Sequence, residues 1–288
     1  MTSLPKTEVL VEALPYISQF EGKTFVIKYG GAAMIDEELK ETFAQDVTFL
    51  KKTGIKVVLV HGGGKEVTEL SEKLGLSTTF VRGYRYTDRE TMKVAQMVLT
   101  GKTNKNIVAR INRHGGEAVG LSGIDANLLR VTKYVEDGID LGYVGEVVEV
   151  NTSFLDFLLN NNMLPVIAPI GVNEGCEAYN INADVAAASI AAALRAEKLV
   201  YLSDVAGLML DGHLIHTILQ SEADRFIDQG IITNGMIPKI RSASKALDVG
   251  VAKVHLIDGR VKHALLLEIF TNEGMGTELI RSSHNTPP

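Results

Sequence analysis

The sequence lacks several things, and each lack excludes something. It has one cysteine, Cys176, in 288 residues. An internal disulfide and a Cys-rich metal site are therefore ruled out. No apolar run reaches roughly 18 residues, so no membrane-spanning helix is expected. The opening MTSLPKTEVLVEALPY has no basic segment leading into a long apolar one, so it does not read as a secretory signal. A cytoplasmic protein is the expectation. Excess positive charge is also missing: 29 Lys and Arg stand against 35 Asp and Glu, a formal net charge of −6. General nucleic-acid binding is not expected, and any anion must be held by local basic groups. No internal repeat or low-complexity tract is present.

What is present is the composition of a soluble globular chain, 45% hydrophobic and 22% charged, long enough for one large core or two lobes. Apolar runs recur at 24–31, 56–64, 117–123, 164–171, 198–205 and 253–259. Most are apolar on both faces, as in a buried, mainly parallel sheet. Helical patterns lie between them, at about 36–53, 65–75, 88–113, 152–161, 184–196, 221–230, 235–249 and 263–270. Such alternation predicts an α/β sandwich. Residues 128–150 and 207–216 read instead as β-hairpins, the second around Asp211-Gly212. The tail RSSHNTPP reads as frayed. Residues 7–20 form a helix ahead of the first strand, with Val9, Leu10, Ala13, Leu14 and Ile17 as an apolar stripe and Pro15 as a kink. That stripe packs either on its own domain or on another subunit.

VVLVHGGGKEV (57–67) is a buried strand breaking into a glycine turn that opens a helix. It fits neither the dinucleotide fingerprint, which needs spaced glycines, nor the Walker loop, since Lys65 is followed by Glu66. Gly62, Gly63 and Gly64 either expose backbone N–H groups to an anion or close a tight turn. VIKYGGAAM (26–34) ends a second buried strand in Gly30-Gly31, with Lys28 just before. A lysine in an apolar strand needs a charge partner or an exit to water. Two such turns at adjacent strand ends favour a shared anion cradle.

YNINAD (179–184) opens an Ala-rich helix, with Asp184 as N-cap or first-turn acid and Asn180 and Asn182 as amides suited to a polar ligand. In NGMIPKIRSASKAL, Gly235 opens a helix and Lys239 follows one turn in. RGYRYTD (82–88) carries Arg82 and Arg85, fit for a carboxylate or for surface salt bridges. Ser203 and Asp204 in LSDVAG contact a nucleotide or close a turn.

Together KYGGAAM, VHGGG, RGYRYTD, YNINAD, LSDVAG, GMIPK and HALLLEIFTNEGMGT, in this order over residues 23–280, resemble the amino-acid kinase superfamily and, within it, the N-acetyl-L-glutamate kinase family. The resemblance implies an open three-layer αβα sandwich around a mainly parallel sheet of about eight strands, plus β-hairpins. It implies an N-lobe (23–175) for acetylglutamate and dimerisation, a C-lobe (176–288) for ATP, and an N-terminal helix (1–22) for oligomerisation and regulation. The implied reaction is ATP-dependent phosphorylation of the γ-carboxylate of N-acetyl-L-glutamate, in arginine biosynthesis. Mg²⁺ would be held mainly by the nucleotide phosphates, without direct protein ligands.

By the same resemblance, Lys28 contacts the transferring phosphoryl group and Lys239 serves the nucleotide side. Asp184 organises both lysines. Gly30, Gly31, Gly63 and Gly64 supply N–H donors, the latter pair toward the substrate, which Arg85 and Asn180 also bind. Ser203, Asp204 and Gly207 belong to the nucleotide pocket. Arginine-inhibited members carry a kinked N-terminal helix that links dimers into a hexamer, a trimer of dimers. Tyr16, Glu268, Gly274 and Gly276 match the region where L-arginine binds as inhibitor. Some relatives bind a PII-type signalling protein, which the resemblance does not assign here. Lys65 after VHGGG, and Tyr84 and Tyr86 flanking Arg85, depart from the usual family residues and bear on acyl-substrate fit. Other readings are a carrier-linked aminoadipate kinase and a non-catalytic nucleotide or arginine sensor.

Overall fold

The computed structural model describes residues 6–81, 83–210, 212–232, 236–271 and 274–281. Arg82, Asp211, Gly235 and the tail from residue 282 lie outside them, as do the side chains of Val9 and Leu10.

In chain order, helix α1 (Lys6–Phe20) precedes strand β1 (Thr24–Tyr29), a 3₁₀ turn (Gly31–Met34) and α2 (Glu37–Lys52). Next come β2 (Lys56–His61), α3 (Gly64–Lys73), the paired strands β3 (Phe80–Val81) and β4 (Tyr84–Arg85), and α4 (Arg89–Gln96). A π segment (Met97–Thr103) joins α4 to α5 (Asn104–Arg113). Then follow β5 (Ala118–Ser122), β6 (Leu129–Glu136), β7 (Ile139–Val150), α6 (Thr152–Asn160), β8 (Leu164–Ala168), β9 (Ile170–Val172) and β10 (Ala178–Asn180). The remainder is α7 (Ala183–Ala193), β11 (Lys198–Ser203), β12 (Met209–Leu210), β13 (His213–Leu214), β14 (Thr217–Leu219), α8 (Gln220–Asp228), α9 (Met236–Asp248), β15 (Lys253–Asp258), α10 (Ala264–Phe270) and β16 (Thr277–Ile280).

One sheet of eight strands, ordered β14-β16-β15-β11-β1-β2-β8-β5, spans the molecule. Its pairings are parallel except that of β15 with β16. Side chains alternate between two cores. Val26, Val58, Val60, Leu199 and Tyr201 meet α7 and α9 on one face. Phe25, Ile27, Val57, Leu59 and Val200 meet α2, α5 and α10 on the other. Burial on both faces is why these strands read as continuous apolar runs. The helices stop and start where their ends are satisfied. Asp36, for example, caps α2 by accepting from Leu39 N at 2.9 Å, a contact worth about 1 kcal/mol.

The 128–150 hairpin is present as β6 and β7, and β9 and β10 close it into a small barrel. The 207–216 hairpin is present as β12 and β13. Strands β14 and β16 complete the sheet edge and fall outside the six apolar runs, because three- and four-residue strands carry too little periodicity. The 88–113 pattern is continuous but not uniformly α-helical, given its π segment.

Helix α1 runs through Pro15 to Phe20. Its inward face is Ala13, Tyr16, Ile17 and Phe20. Leu14, expected in the stripe, is 59% exposed, and Val11 is 69% exposed. Among the described residues, no helix is long and apolar enough to cross a membrane.

Candidate active site

Strand parity decides where Lys28 points. It shares the parity of Val26 and so turns to the α7 face. Its ammonium lies 2.9 Å from Oδ1 of Asp184. Lys239, one turn into α9, donates from Nζ to Oδ2 of the same carboxylate at 2.9 Å. Burial pushes the Asp184 carboxyl up, but the two ammonium groups outweigh it and hold the carboxyl below its ordinary value. Asp184 lies in the first turn of α7, where the helix dipole also favours an anion. The N-cap is Asn182, whose Oδ1 accepts from Asp184 N at 2.8 Å and Val185 N at 3.4 Å. The Asn182 oxygen thus serves the cap while the residue still lines the Arg85 cavity, and the Asp184 carboxylate is left to the lysines.

Two residues that the sequence reading missed hold the backbone here. The hydroxyls of Tyr201 and Ser242 donate to the Asp184 carbonyl at 3.3 and 3.4 Å. Their one visible signal is a tyrosine inside the apolar strand KLVYLS.

Strands β1 and β2 are parallel neighbours with Tyr29 opposite His61, so their glycine turns open at one edge. Gly62 N donates to Tyr29 O at 2.7 Å and ties the turns together. A side chain at Gly30 would begin 2.7 Å from Lys28 Nζ. Gly31 has φ +68°, and a Cβ there would lie 2.0 Å from Asp204 Oδ1. Gly63 caps α3 at φ +147°, where a Cβ would strike Leu99 Cδ2 at 2.5 Å. Gly31 and Gly63 hold backbone conformations that favour glycine, while a side chain at Gly30 would displace the Lys28 ammonium.

Arg85 is buried on β4. Its Nη2 donates to Gly64 O at 2.7 Å and Thr68 Oγ1 at 2.8 Å, and its guanidinium lies 4.8 Å from the Phe80 ring centre. No carboxylate pairs with it among the described residues, and burial lowers its pKa. A buried guanidinium with neutral partners keeps donors for an incoming carboxylate. It lines a cavity of ≈ 160 Å³ with Gly63, Gly64, Tyr84 and Asn180. Asn180 Nδ2 donates to Thr87 Oγ1 at 3.4 Å. Lys65 lines a different cavity, near α2 and α5.

On the other side of Asp184, Lys28, Gly31, Ser203, Asp204, Met236 and Lys239 line a cavity of ≈ 350 Å³. Its polyanion-compatible lining is two ammonium groups and a glycine turn. Gly207 lies instead against Thr277, whose Oγ1 would be 2.4 Å from a Cβ there. No cluster of three or more His, Cys, Asp or Glu suited to enclose a metal occurs among the described residues.

Glu268, Gly274 and Gly276 come together at a second place. Glu268 Oε2 accepts from Met275 N at 2.6 Å and Gly276 N at 3.0 Å, and lies 3.0 Å from where a Gly274 Cβ would be. Its Oε1 faces His255 Nδ1 at 2.6 Å. Lys198 Nζ meets His255 Nε2 at 2.7 Å and stands 5.2 Å from the Phe20 ring centre. Tyr16 stacks on that Phe20 at 6.5 Å, which brings α1 to the cluster. Burial lowers His255, and it pushes the Lys198 ammonium down to about 8. Lys198 and His255 were not read from the sequence. Like Lys28, each is a basic residue on an otherwise apolar strand.

One cavity beside the start of α7 and one beside the two lysines that share Asp184, at the ends of parallel strands, make the arrangement of a group-transfer site. Residues 23–258 match the model of the amino acid kinase family, and the chain belongs to that family. It is 58% identical over 272 residues to the acetylglutamate kinase of Chlorobaculum parvum, spanning 94% of this chain and 90% of that relative. Within the family the chain thus belongs with the acetylglutamate kinases, and it is a kinase.

Its fold is also that of N-acetylglutamate synthase from Neisseria gonorrhoeae, solved with coenzyme A and N-acetyl-glutamate. The TM-score is 0.88 at 31% identity, covering 97% of this chain and 64% of that one. The same synthase solved with coenzyme A and L-arginine gives a TM-score of 0.82 at 30% identity, covering 96% of this chain and 66% of that one. The chain spans just under two thirds of the synthase's length.

Proposed function

We propose that the chain transfers the γ-phosphoryl group of ATP to the γ-carboxylate of N-acetyl-L-glutamate. A carboxylate oxygen attacks the γ-phosphorus, the bond to the β-phosphate oxygen breaks, and ADP and an acyl phosphate leave. The nucleophile is already ionised, so no strong general base is needed. The difficulty is bringing an anion to a polyanion, and catalysis rests on positioning and charge.

The observation that carries this reading is Asp184 holding Lys28 and Lys239 at 2.9 Å each. Lys28 then serves the transferring phosphoryl group and Lys239 the leaving side. Gly30, Gly31, Gly63 and Gly64 offer N–H groups along the path. Arg85 and Asn180 bind acetylglutamate in the smaller cavity. Ser203 and Asp204 line the nucleotide cavity, and Mg²⁺, held by the nucleotide phosphates rather than by side chains, would supply charge that offsets theirs. The division at 23–175 and 176–288 assigns most acetylglutamate contacts to the first part and most ATP contacts to the second, with Asn180 and Lys28 crossing it, and a cytoplasmic location fits a biosynthetic kinase.

L-arginine is the proposed feedback inhibitor, bound beside Glu268, Gly274 and Gly276, with Tyr16 contributing from α1, where it stacks on Phe20. The arginine-bound synthase supports this by likeness. The exposed Val11 and Leu14 on α1 suit a contact between dimers, giving a hexamer.

A coupled ADP-release assay tests the reaction over N-acetylglutamate, glutamate, aspartate, carbamate and a carrier-linked aminoadipate. Turnover is expected with the first. Turnover confined to another of them would move the chain elsewhere in the family, and none at all would favour a sensor.

A further inference from the structure

His61 ends β2 on the face opposite Lys28, is fully buried, and has no part in the roles assigned above. Its Nδ1 lies 2.6 Å from the carbonyl oxygen of Gly62, and its Nε2 lies 3.2 Å from Nδ2 of Asn104. Asn104 is the first residue of α5, directly after the π segment, whose wider winding shifts the helical phase there. It too is fully buried.

The surrounding contacts fix both side chains. Asn104 Nδ2 donates to Val166 O at 2.9 Å and also faces Leu121 O at 3.3 Å. Its Oδ1 accepts from the Lys105 ammonium at 3.2 Å. A flipped amide would set oxygen against two carbonyls and nitrogen against an ammonium. Nδ2 is therefore the donor, His61 Nε2 the bare acceptor, and the imidazole proton sits on Nδ1, where the Gly62 carbonyl receives it. Burial pushes His61 down to about 4, so the ring is neutral at working pH.

The consequence lies in the next peptide. In a trans peptide the C=O of one residue and the N–H of the next point in opposite directions, and the described residues contain no cis bond. Drawing the Gly62 carbonyl toward His61 turns the Gly63 N–H the other way. His61 shares the sheet face of Tyr29, so the opposite side is the one on which α7 packs, and Asn182 and Ala183 at its start line the Arg85 cavity with Gly63. The N–H groups of Gly63 and Gly64 have no acceptor among the described residues.

We propose that His61, fixed by Asn104, is a positioning residue for phosphoryl transfer: it sets the Gly62–Gly63 peptide so that the Gly63 N–H faces the migrating phosphoryl group. This rests on the acetylglutamate kinase reading above.

The experiment compares wild type, His61→Asn, His61→Gln and Asn104→Leu in the ADP-release assay with N-acetylglutamate and ATP. An asparagine amide can stand in for the Nδ1 donor, whereas a glutamine amide reaches the Nε2 position. His61→Gln and Asn104→Leu are expected to lose kcat by about 100-fold, the scale of a small misplacement at a reacting centre, with KM for ATP little changed. His61→Asn is expected to recover most of that loss. Wild-type kcat in His61→Gln would overturn the proposal, as would equal losses in both His61 variants.

Nitrogen NMR of histidine-labelled wild type gives a check that needs no variant to fold. A protonated Nδ1 and a bare Nε2 at His61 are expected, and the opposite tautomer overturns the proposal. A wild type inert toward N-acetylglutamate sinks the functional reading and this one with it. An active wild type matched by His61→Gln sinks this one alone.

Discussion

Lys239 donates to Oδ2 of Asp184 at 2.9 Å while Lys28 takes Oδ1, so one carboxylate sets the position of two ammonium groups. Replacing Lys28 or Lys239 with alanine is expected to reduce kcat by about 10²- to 10³-fold, the loss typical for one preorganised charge-stabilising donor. Asp184→Asn should lose comparable activity, because two cations then repel across a neutral amide. It should also change acid stability. A carboxyl held below its ordinary 3.8 stabilises the fold above that pH, and the contribution fades as pH falls through the folded-state value. Urea titrations of wild type and Asp184→Asn should therefore converge as pH drops below about 4.

Arg85 lines a small cavity, holds Gly64 and Thr68 through Nη2, and pairs with no carboxylate of the described chain. Arg85→Lys keeps the charge but loses the remaining guanidinium donors. Losing one charge-assisted hydrogen bond of about 1.5–3 kcal/mol should raise KM for N-acetylglutamate roughly 10- to 100-fold. KM for ATP should hardly move. Initial-rate kinetics with each substrate varied separately decide this, and an equal rise in both constants would count against the assignment.

Lys198 is buried against His255 and Phe20, and burial lowers its pKa from 10.5 to about 8. Between those values the unfolded chain holds a proton that the folded chain has released. Stability from this group therefore rises with pH across that window. At 1.36 kcal/mol per unit, wild type should gain roughly 3 kcal/mol more than Lys198→Met between pH 8 and 10.5. Denaturant midpoints across that range give the measurement.

Helix α1 leaves Val11 and Leu14 in solvent while Phe20, on which Tyr16 stacks, reaches Lys198 of the Lys198–His255–Glu268 cluster. Deleting residues 1–20 should leave an active dimer with a weakened arginine response. Light scattering and an arginine inhibition curve test both halves. A truncated protein that stays hexameric would remove α1 from the assembly.

The six long strands and most helices were legible because burial on both faces leaves unbroken apolar runs and helices keep their period. Strands β14 and β16 were not, being too short for any period, and neither was the π segment, whose pattern matches a helix on either side. In the site, Lys28 drew notice as a charge in an apolar strand. Asn182 was legible only as a choice between ligand and cap, and the structure shows the cap through Oδ1 with the residue still lining the Arg85 cavity. Lys198, Tyr201 and His255 gave the same weak signal as Lys28, a polar group in a buried strand, but no glycine turn stood beside them.

The sequence by itself determined the α/β alternation, the two glycine turns and the need of Lys28 for a charge partner or an exit to water, since these follow from local period, missing Cβ atoms and the cost of a buried charge. That Asp184 serves both lysines was implied by the resemblance alone. Only the tertiary structure decided between partner and water by setting both lysines on Asp184, and only it showed that His61 and Asn104 lie behind the turn. Those are contacts between distant segments, set by strand parity and sheet order, and no local pattern in the chain encodes which side chain will meet which.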